Sequence, residues 1–431
     1  MARLACAIGA VALSATACAV GFVGLASASG AHTGSKPVLP SKDPFYRYGR
    51  PLAPIAPGTV LKKRNVNIAE NGNKTPVKAT QILYRTTGEL GQPELAVTTV
   101  IRPAVPELST RIVSYQTAYD ALGSQCDPSY TLRGGNKGDS TAQSEEQIIL
   151  GYVAQGYTVL VPDYEGVNLR WVAGQQSGYG TLDGIRAAEN LLKLSQSKTP
   201  VGLVGYSGGS IATDFGAEVA GKYARQLHIV GAAEGGVPVD LAHNLFYING
   251  SPSWSGIIPA VLLSLGRAFG VNIDRYASAY GRKLIGQEEG GCINNYLGKY
   301  PGLKYQKLLK PRYVPIFSTE VFVRIVNRLI MSRTGTPREP MLIGVGQEKG
   351  QKGDGVMVAA DDEALAHAYC TRNVPVVFKR FKGLDHTDAA VPFEAAAMPF
   401  LEDRLNGLPA VNACSKIGRG DSIAPVKRQH H

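Results

Sequence analysis

The sequence lacks the closely spaced cysteine or histidine pairs that hold zinc. Neither a Cys-x-x-Cys nor a His-x-x-x-His pattern occurs in its 431 residues, so we expect no metal site. It also has no run of five basic residues and no zinc-finger or RNA-binding motif. The net charge of +11 permits contact with an anionic partner, but the scattered basic residues argue against nucleic acid as that partner.

Charged residues are scarce, at 18%, whereas apolar residues reach 44%. This balance excludes global disorder and is sufficient for a sizeable core. Fifty glycines and 26 prolines indicate many turns, without the period of collagen. At about 100–200 residues per domain the length fits two or three domains, and a single enlarged α/β domain fits equally well.

Segments that read as membrane-spanning are missing after the first thirty residues. Residues 1–28 have the layout of a secretory signal peptide, with a basic start at Arg3, no charge from Leu4 to Leu25, and an Ala-Ser-Ala end. The uncharged run is also long enough for an uncleaved anchor, although its low leucine and isoleucine content favours cleavage. We therefore predict an exported protein with no integral membrane segment after cleavage.

Four cysteines remain once residues 1–28 are set aside: Cys126, Cys292, Cys370 and Cys414. An even number of cysteines in an exported chain predicts two disulfide bonds. Three connectivities are possible for four cysteines, and the sequence alone does not choose between them.

Strand-like and helix-like runs alternate over most of the chain. Two β-rich runs, Gln81 to Thr87 and Leu95 to Arg102, form a predicted hairpin. Further on, helix 182–194 is followed by strand 201–206 and helix 210–224. This alternation predicts an α/β fold, in which helices cover both faces of a mainly parallel sheet.

The alternation stops between residues 238 and 338, where several helices are predicted. A helical insertion late in an α/β fold is usually a cap over a binding site. The predicted organisation is a signal peptide (1–28), a first core part with an N-terminal wrap (29–237), a helical cap (238–338), a second core part (339–414) and a flexible basic tail (415–431).

A Gly-x-Ser-x-Gly pentapeptide, residues 205–209, joins a predicted strand to the helix that follows. About 0.3 such matches are expected by chance, so the pentapeptide alone is weak evidence. A nucleophile elbow needs this strand–turn–helix context, because its serine lies in a strained turn where Gly205 and Gly209 prevent clashes. The context favours Ser207 as a nucleophile over an ordinary glycine-rich turn.

A nucleophilic serine needs a base, and among the seven histidines His386 is the candidate. It follows strand 374–381 in a predicted loop, and the C-terminal end of a strand is where an α/β-hydrolase places its base. The other histidines lie in terminal segments, in a strand, in the insertion or in a helix.

The acid that orients the base should follow the strand at 341–345 and precede the base in the chain. Asp354 lies in the loop after that strand and is the candidate. Asp361 and Asp362 look like the cap of the next helix. Asp385 is adjacent to His386 and cannot easily turn back to its imidazole.

An oxyanion hole needs two backbone N–H groups. The first is predicted at Gly208, the residue after the nucleophile, and the second in the loop that follows strand 111–116. Asp120 lies in that loop and could donate its N–H, although by spacing alone it is equally a turn or capping residue.

In these features the chain resembles the secretory lipase family of fungi and actinomycetes, typified by yeast lipase A, which has an α/β-hydrolase fold. The matching segments span nearly the whole mature chain in order: Asp43-Pro44-Phe45-Tyr46, Gln81-Ile82-Leu83-Tyr84-Arg85-Thr86-Thr87, Ser114-Tyr115-Gln116-Thr117 with Tyr119-Asp120, Cys126-Asp127-Pro128-Ser129-Tyr130, Asp163-Tyr164-Glu165-Gly166, Leu182-Asp183-Gly184-Ile185-Arg186-Ala187, residues 205–209 and Glu234-Gly235-Gly236-Val237-Pro238.

The resemblance implies that Ser207, His386 and Asp354 are the catalytic residues and that Asp120 contributes to the oxyanion hole. At the acid the chain departs from the family, which usually has Asp-Glu-Ile/Val-Val-Pro where this sequence has Asp-Gly-Val-Met-Val at residues 354–358.

The resemblance also implies which cysteines pair. It joins Cys126 to Cys292 and Cys370 to Cys414, one of the three connectivities that the cysteine count leaves open.

The predicted function is a secreted serine ester hydrolase, which forms an acyl-enzyme without any metal or organic cofactor. The resemblance implies lipase or carboxylesterase action on a lipid or small ester. Two alternatives remain: an acyltransferase of the same fold that acts on envelope lipids or sugars, and a non-catalytic envelope-binding protein. Export makes an anionic envelope or lipid surface a better candidate neighbour than nucleic acid.

Overall fold

The computed structural model describes residues 36–70, 73–105, 109–135 and 144–429. The predicted signal peptide, residues 1–28, lies outside the described residues. None of the helices within the described ranges is long and apolar enough to cross a membrane.

The strands are, in chain order, β1 (Val60–Val66), β2 (Ala69–Glu70), β3 (Asn73–Lys74), β4 (Lys78–Thr87), β5 (Pro93–Arg102), β6 (Ile112–Gln116), β7 (Thr158–Pro162), β8 (Pro200–Tyr206), β9 (His228–Gly235), β10 (Met341–Gln347) and β11 (Val376–Lys382). The helices are α1 (Pro128–Thr131), α2 (Glu146–Ala154), α3 (Gly174–Leu192), α4 (Gly208–Tyr223), α5 (Leu241–Ile248), α6 (Ile257–Phe269), α7 (Ala279–Glu288), α8 (Ile293–Tyr296), α9 (Glu320–Arg328), α10 (Ala359–Cys370) and α11 (His386–Leu405).

Nine of these strands form one sheet in the order β1-β4-β5-β7-β6-β8-β9-β10-β11. The pairs from β7 to β11 are parallel, and those from β1 to β7 are antiparallel. The predicted hairpin is β4 and β5. The mainly parallel sheet predicted from the sequence is thus confirmed.

Side chains of β8 point alternately to two apolar layers, as expected for a strand buried on both faces. Val201 and Leu203 belong to the layer that contains residues of α3 and α4. Val204 and Tyr206 belong to the layer that contains residues of α2 and α11. Helices therefore cover the sheet on both faces around the strand that leads to residue 207.

Helix α3 begins at Gly174, about two turns before the predicted start at residue 182. The added turns contain Gly178 and Gly180, which have low helix propensity and hide the helical pattern. A Cβ atom at Gly178 would lie 2.7 Å from the backbone nitrogen of Gly216 in α4. The glycine is therefore explained by close packing of two helices, which a local pattern does not reveal.

Helix α11 starts at His386, a residue that the sequence placed in a loop after strand 374–381. Its apolar positions recur every four residues from Ala389 to Leu405 and face the sheet. Pro392 lies inside the helix, and a proline normally indicates a helix boundary. As a result, the residue expected in a loop is the first residue of a helix, directly after its N-cap, Asp385.

The segment after Cys414 was predicted to be a flexible tail, but residues 415–429 make defined contacts. The side chain of Asn327 donates to the carbonyl oxygen of Val426 at 2.9 Å and accepts from its N–H at 2.7 Å. Arg428 Nε donates to the carbonyl oxygen of Ser318 at 3.0 Å. The tail is held in place because the Asn327 side chain of α9 forms hydrogen bonds with both the N–H and the carbonyl oxygen of Val426.

Two disulfide bonds join Cys126 to Cys292 and Cys370 to Cys414, with sequence separations of 166 and 44 residues. These are the pairs that the resemblance implied. The first bond links the segment after β6 to the start of α8. The second links the end of α10 to the beginning of the tail.

Removal of either disulfide should destabilise the protein by about 2–4 kcal/mol, because it enlarges the unfolded ensemble. We expect the larger loss for Cys126→Ala/Cys292→Ala, whose bond closes the longer loop. Cys370→Ala/Cys414→Ala is the matched comparison. The measurement is the free energy of unfolding in urea, and equal stability of the wild-type protein and the first variant would contradict the prediction.

Glu189 should make stability depend on pH. Neither of its carboxylate oxygens has a hydrogen-bond partner among the described residues, and burial raises the pKa of this side chain to about 8. A raised carboxyl pKa contributes stability that is present below pH ~4.5 and lost as the pH rises through ~8. The free energy of unfolding of the wild-type protein should therefore fall between pH 5 and 8 by on the order of 3 kcal/mol more than that of Glu189→Gln. Urea titrations at several pH values test this, and parallel pH profiles of the two proteins would refute it.

Candidate active site

Ser207 lies in the sharp turn between β8 and α4. Its backbone has φ 54° and ψ −124°, a conformation that non-glycine residues rarely adopt. Its N–H donates to the carbonyl oxygen of Gly235 at 2.8 Å. A Cβ atom at Gly205 would overlap the carbonyl oxygen of Gly209, and one at Gly209 would overlap that of Gln116. Both flanking glycines are therefore required by close backbone approach.

His386 connects Ser207 to a carboxylate. Its Nε2 lies 2.7 Å from Ser207 Oγ, and its Nδ1 lies 2.7 Å from Asp354 Oδ2. The side chains of three separate segments, which follow β8, β10 and β11, thus form one chain of hydrogen bonds. The structure brings together the three residues that the sequence nominated.

Asp354 is fully buried and firmly held. Its second oxygen, Oδ1, accepts the N–H of Val356 at 3.1 Å and that of Met357 at 2.7 Å. Its carbonyl oxygen accepts the N–H of His386 at 2.8 Å. Donors at Oδ1 leave Oδ2 directed at the imidazole, so the loop that departs from the family pattern still presents a carboxylate to His386.

The other acidic candidates have different partners. Asp361 Oδ1 lies 3.0 Å from Nδ1 of His243, and Asp362 accepts the N–H of Val237 at 3.1 Å. Asp385 caps α11 by accepting the N–H of Asp388 at 2.8 Å. None of these three contacts involves the imidazole of His386.

The imidazole is enclosed by groups that the sequence did not indicate. The Tyr206 hydroxyl donates to the carbonyl oxygen of His386 at 2.6 Å, and the two rings lie 5.1 Å apart. The indole of Trp254 meets the imidazole edge to face at 5.3 Å. Trp254 comes from the segment before α6, so only the tertiary fold reveals this contact.

Gly208 and Asp120 lie against each other beside Ser207. Gly208 is the first residue of α4, a position where the N–H has no acceptor within the helix. A Cβ atom at Gly208 would overlap the Asp120 carboxyl group. Asp120 has φ 41°, and burial raises the pKa of its carboxyl group to about 7, partly offset by nearby His386. Both residues assigned to the oxyanion hole are thus adjacent to the serine.

A cavity of about 420 Å³ opens at Ser207 and His386. Apolar side chains of the helices between β9 and β10 form much of its wall, among them Leu241, Leu245, Ile248, Ile258, Val261, Leu262, Leu265, Phe322, Ile325 and Val326. The apolar run from 257 to 265, which is visible in the sequence of the predicted cap, forms part of this wall. The contributions of α5 and α9 depend on how those helices pack.

The arrangement can perform nucleophilic chemistry at a carbonyl group. It combines a hydroxyl, an imidazole within hydrogen-bond distance, a buried carboxylate behind the imidazole and a helix N-terminus beside the hydroxyl. Within the described ranges, no group of three or more acidic, histidine or cysteine side chains is arranged to hold a metal ion.

Comparisons with known proteins find that most of the chain is similar to secretory lipases. A family model described as secretory lipase matches residues 135–413. A protein of Mycobacterium tuberculosis (strain CDC 1551 / Oshkosh) named as a probable inactive lipase is 35% identical, with 87% of this chain and 84% of that protein covered. Lipase A of Arthroderma benhamiae is 31% identical, with coverage of 88% and 82%.

The similarity extends to a solved structure. The X-ray structure of Candida antarctica lipase A in its closed state matches with a TM-score of 0.81 and 27% sequence identity. The match covers 90% of this chain and 91% of that one.

Gly236 should be essential for the position of His386. A Cβ atom at Gly236 would lie 2.7 Å from Cε1 of the imidazole, so Gly236→Ala should displace the ring and slow the reaction of Ser207 with a fluorophosphonate at least tenfold. Gly250→Ala is the matched control, because Gly250 also has a positive φ but its nearest neighbour is 3.7 Å away. The measurement is the rate of covalent labelling, and equal rates for the two variants would refute the steric explanation.

Proposed function

The chain belongs to the secretory lipase family, and from this we propose that it is a secreted carboxylic ester hydrolase that works through Ser207, His386 and Asp354. Membership of the family supports ester hydrolysis outside the cell. The observation that carries the proposed mechanism is the chain of two 2.7 Å hydrogen bonds from Asp354 through His386 to Ser207.

In the proposed first step, Ser207 Oγ attacks the ester carbonyl carbon while His386 Nε2 accepts the hydroxyl proton. The Asp354 carboxylate accepts the Nδ1–H, which leaves Nε2 free to act as the base, and it stabilises the imidazolium that forms. The carbonyl oxygen becomes negatively charged and is stabilised by the N–H groups of Gly208 and Asp120.

The tetrahedral intermediate then collapses. The bond between the carbonyl carbon and the alkoxy oxygen breaks, His386 returns its proton to the leaving alcohol, and an acyl group remains on Ser207. A water molecule repeats the sequence: His386 takes its proton, the hydroxide attacks the acyl carbon, and the proton returns to Ser207 as the carboxylic acid leaves.

The proposed substrate is a lipid or small ester whose acyl chain enters the apolar cavity beside Ser207. The cavity of about 420 Å³ falls within the range of small-molecule sites. We propose that α5 to α9, within residues 238–338, form the cap that supplies its wall. The net charge of +11 would attract an anionic envelope or lipid surface to the protein.

Two other functions are compatible with the same fold and the same arrangement of Ser207, His386 and Asp354. An acyltransferase would pass the acyl group to an alcohol, where a hydrolase uses water. A non-catalytic protein would keep the fold alone, and the mycobacterial relative named as a probable inactive lipase is the observation that favours testing it.

Ser207→Ala should abolish ester hydrolysis, because it removes the nucleophile. Loss of a triad serine lowers kcat by a factor of about 10⁶ in a comparable hydrolase. The assay follows nitrophenyl and glycerol esters of graded acyl length, and fluorophosphonate labelling reports the serine directly. Ser197→Ala, which alters an exposed serine, should leave both readouts unchanged.

Three results would each exclude part of the proposal. A wild-type protein that neither labels nor hydrolyses esters would favour the non-catalytic alternative. Transfer products that dominate over free acid when an acceptor alcohol is present would identify an acyltransferase. Activity confined to acetyl esters would exclude a lipase.

A further inference from the structure

The segment Asp163-Tyr164-Glu165-Gly166 follows β7. It has no role in the mechanism proposed above. Glu165 is fully buried. Its Oε2 accepts the N–H of Ala121 at 3.1 Å. Ala121 is the residue directly after Asp120, so Glu165 holds the backbone next to the proposed oxyanion donor.

The same segment holds the loop at two further points. The Tyr164 hydroxyl donates to the carbonyl oxygen of Thr117 at 2.7 Å. The N–H of Glu165 donates to the Tyr119 hydroxyl at 2.7 Å, and the rings of Tyr119 and Tyr164 meet edge to face at 4.9 Å. Two consecutive residues therefore fix the loop on both sides of Asp120.

Such support is needed because of the backbone conformation of Asp120. With φ 41° it lies in the left-handed region, where a non-glycine residue persists only if its surroundings hold it. The direction of the Asp120 N–H depends on that conformation. A rotation of the loop would turn the N–H away from a charge that develops beside Ser207.

We propose that Glu165 is a positioning residue whose carboxyl group, by holding the Ala121 N–H, directs the Asp120 N–H at the oxyanion. This inference rests on the proposed function. Glu165 itself does not contact the substrate. It lowers the barrier by keeping a donor oriented before the reaction begins, which is how preorganised oxyanion holes act.

A second carboxyl group explains why loss of Glu165 should loosen the loop only in part. Glu145 Oε2 accepts the N–H of Ala118 at 3.0 Å. The N-terminal side of the loop therefore stays attached when Glu165 is replaced. We expect a displaced donor, and not an unfolded loop.

Glutamine is a close mimic of Glu165. Burial raises the pKa of Glu165 well above its ordinary value, and the nearby Asp120 carboxylate raises it further. A neutral carboxyl group still accepts the Ala121 N–H through an oxygen. The carboxamide of Glu165→Gln keeps that acceptor and the shape, whereas Glu165→Leu removes the acceptor.

The experiment compares kcat and KM of the wild-type protein, Glu165→Leu and Glu165→Gln on a soluble ester. Glu165→Leu should lower kcat by about 10- to 100-fold, less than complete loss of a donor, with KM unchanged within twofold. Glu165→Gln should keep at least a third of the wild-type kcat. Glu189→Leu is the matched control, since it also replaces a buried glutamate, and should leave kcat unchanged.

A second readout is the affinity for a trifluoromethyl ketone. Ser207 Oγ adds to its carbonyl carbon, the proton passes to His386, and the former carbonyl oxygen carries the negative charge. The inhibition constant for Glu165→Leu should rise by the same factor by which kcat falls. A variant that merely loses stability would change its melting temperature without this parallel shift.

The inference is overturned if Glu165→Leu folds and keeps the wild-type kcat, or if only KM changes. It is also overturned if Glu165→Gln loses as much as Glu165→Leu. If Glu165→Leu does not fold, Glu165→Met, which also removes the acceptor of the Ala121 N–H, replaces it with the same expected loss of kcat; a wild-type kcat in that variant overturns the inference. Activity retained by Ser207→Ala would instead refute the proposed function.

Discussion

The close approach of α4 to the loop after β6 is the constraint on which the site depends. It is possible only because Gly209 has no side chain to meet the carbonyl oxygen of Gln116, and because Gly208 leaves room for the Asp120 carboxyl group. With this contact, the serine, the helix N-terminus and the loop of Asp120 converge at one point. Methyl groups at these positions would force the helix and the loop apart.

The parallel strands of the sheet bring the other site residues to the same place. Strands β6, β8, β10 and β11 run parallel, so their carboxyl ends lie along one edge, which is where α/β folds hold their functional groups. Asp120, Ser207, Asp354 and His386 each follow one of these strands. Ser207 and His386, which are 179 positions apart in the chain, thus meet within hydrogen-bond distance.

Local patterns made Ser207 and His386 predictable, because a strand–turn–helix glycine motif and a histidine after a late strand are visible within a few residues. The Asp354 loop departs from the family pattern, but its chain order after β10 was sufficient to nominate it. The early starts of α3 and α11 were not predictable, because Gly178 and Pro392 weaken the helical signal where tertiary packing sustains it.

The contacts that hold the site were the least visible in the sequence. Trp254 against His386 and Glu165 against Ala121 join segments that are far apart in the chain, and neither residue has a local pattern that gives its partner. Residues 163–166 are among the segments that match the family, but the resemblance does not indicate what this segment does. Local spacing therefore indicates groups that react, whereas groups that orient them become apparent only from packing.

The buried carboxyl groups have a consequence for how the molecule is seen from outside. The formal charge of +11 counts all 34 acidic residues as ionised, yet burial raises the pKa of Asp120, Glu339 and Glu394 to about 7. In mildly acidic surroundings these groups hold protons, and the real charge of the molecule exceeds its formal charge. The attraction of the protein to an anionic surface then depends partly on carboxyl groups that are buried inside it.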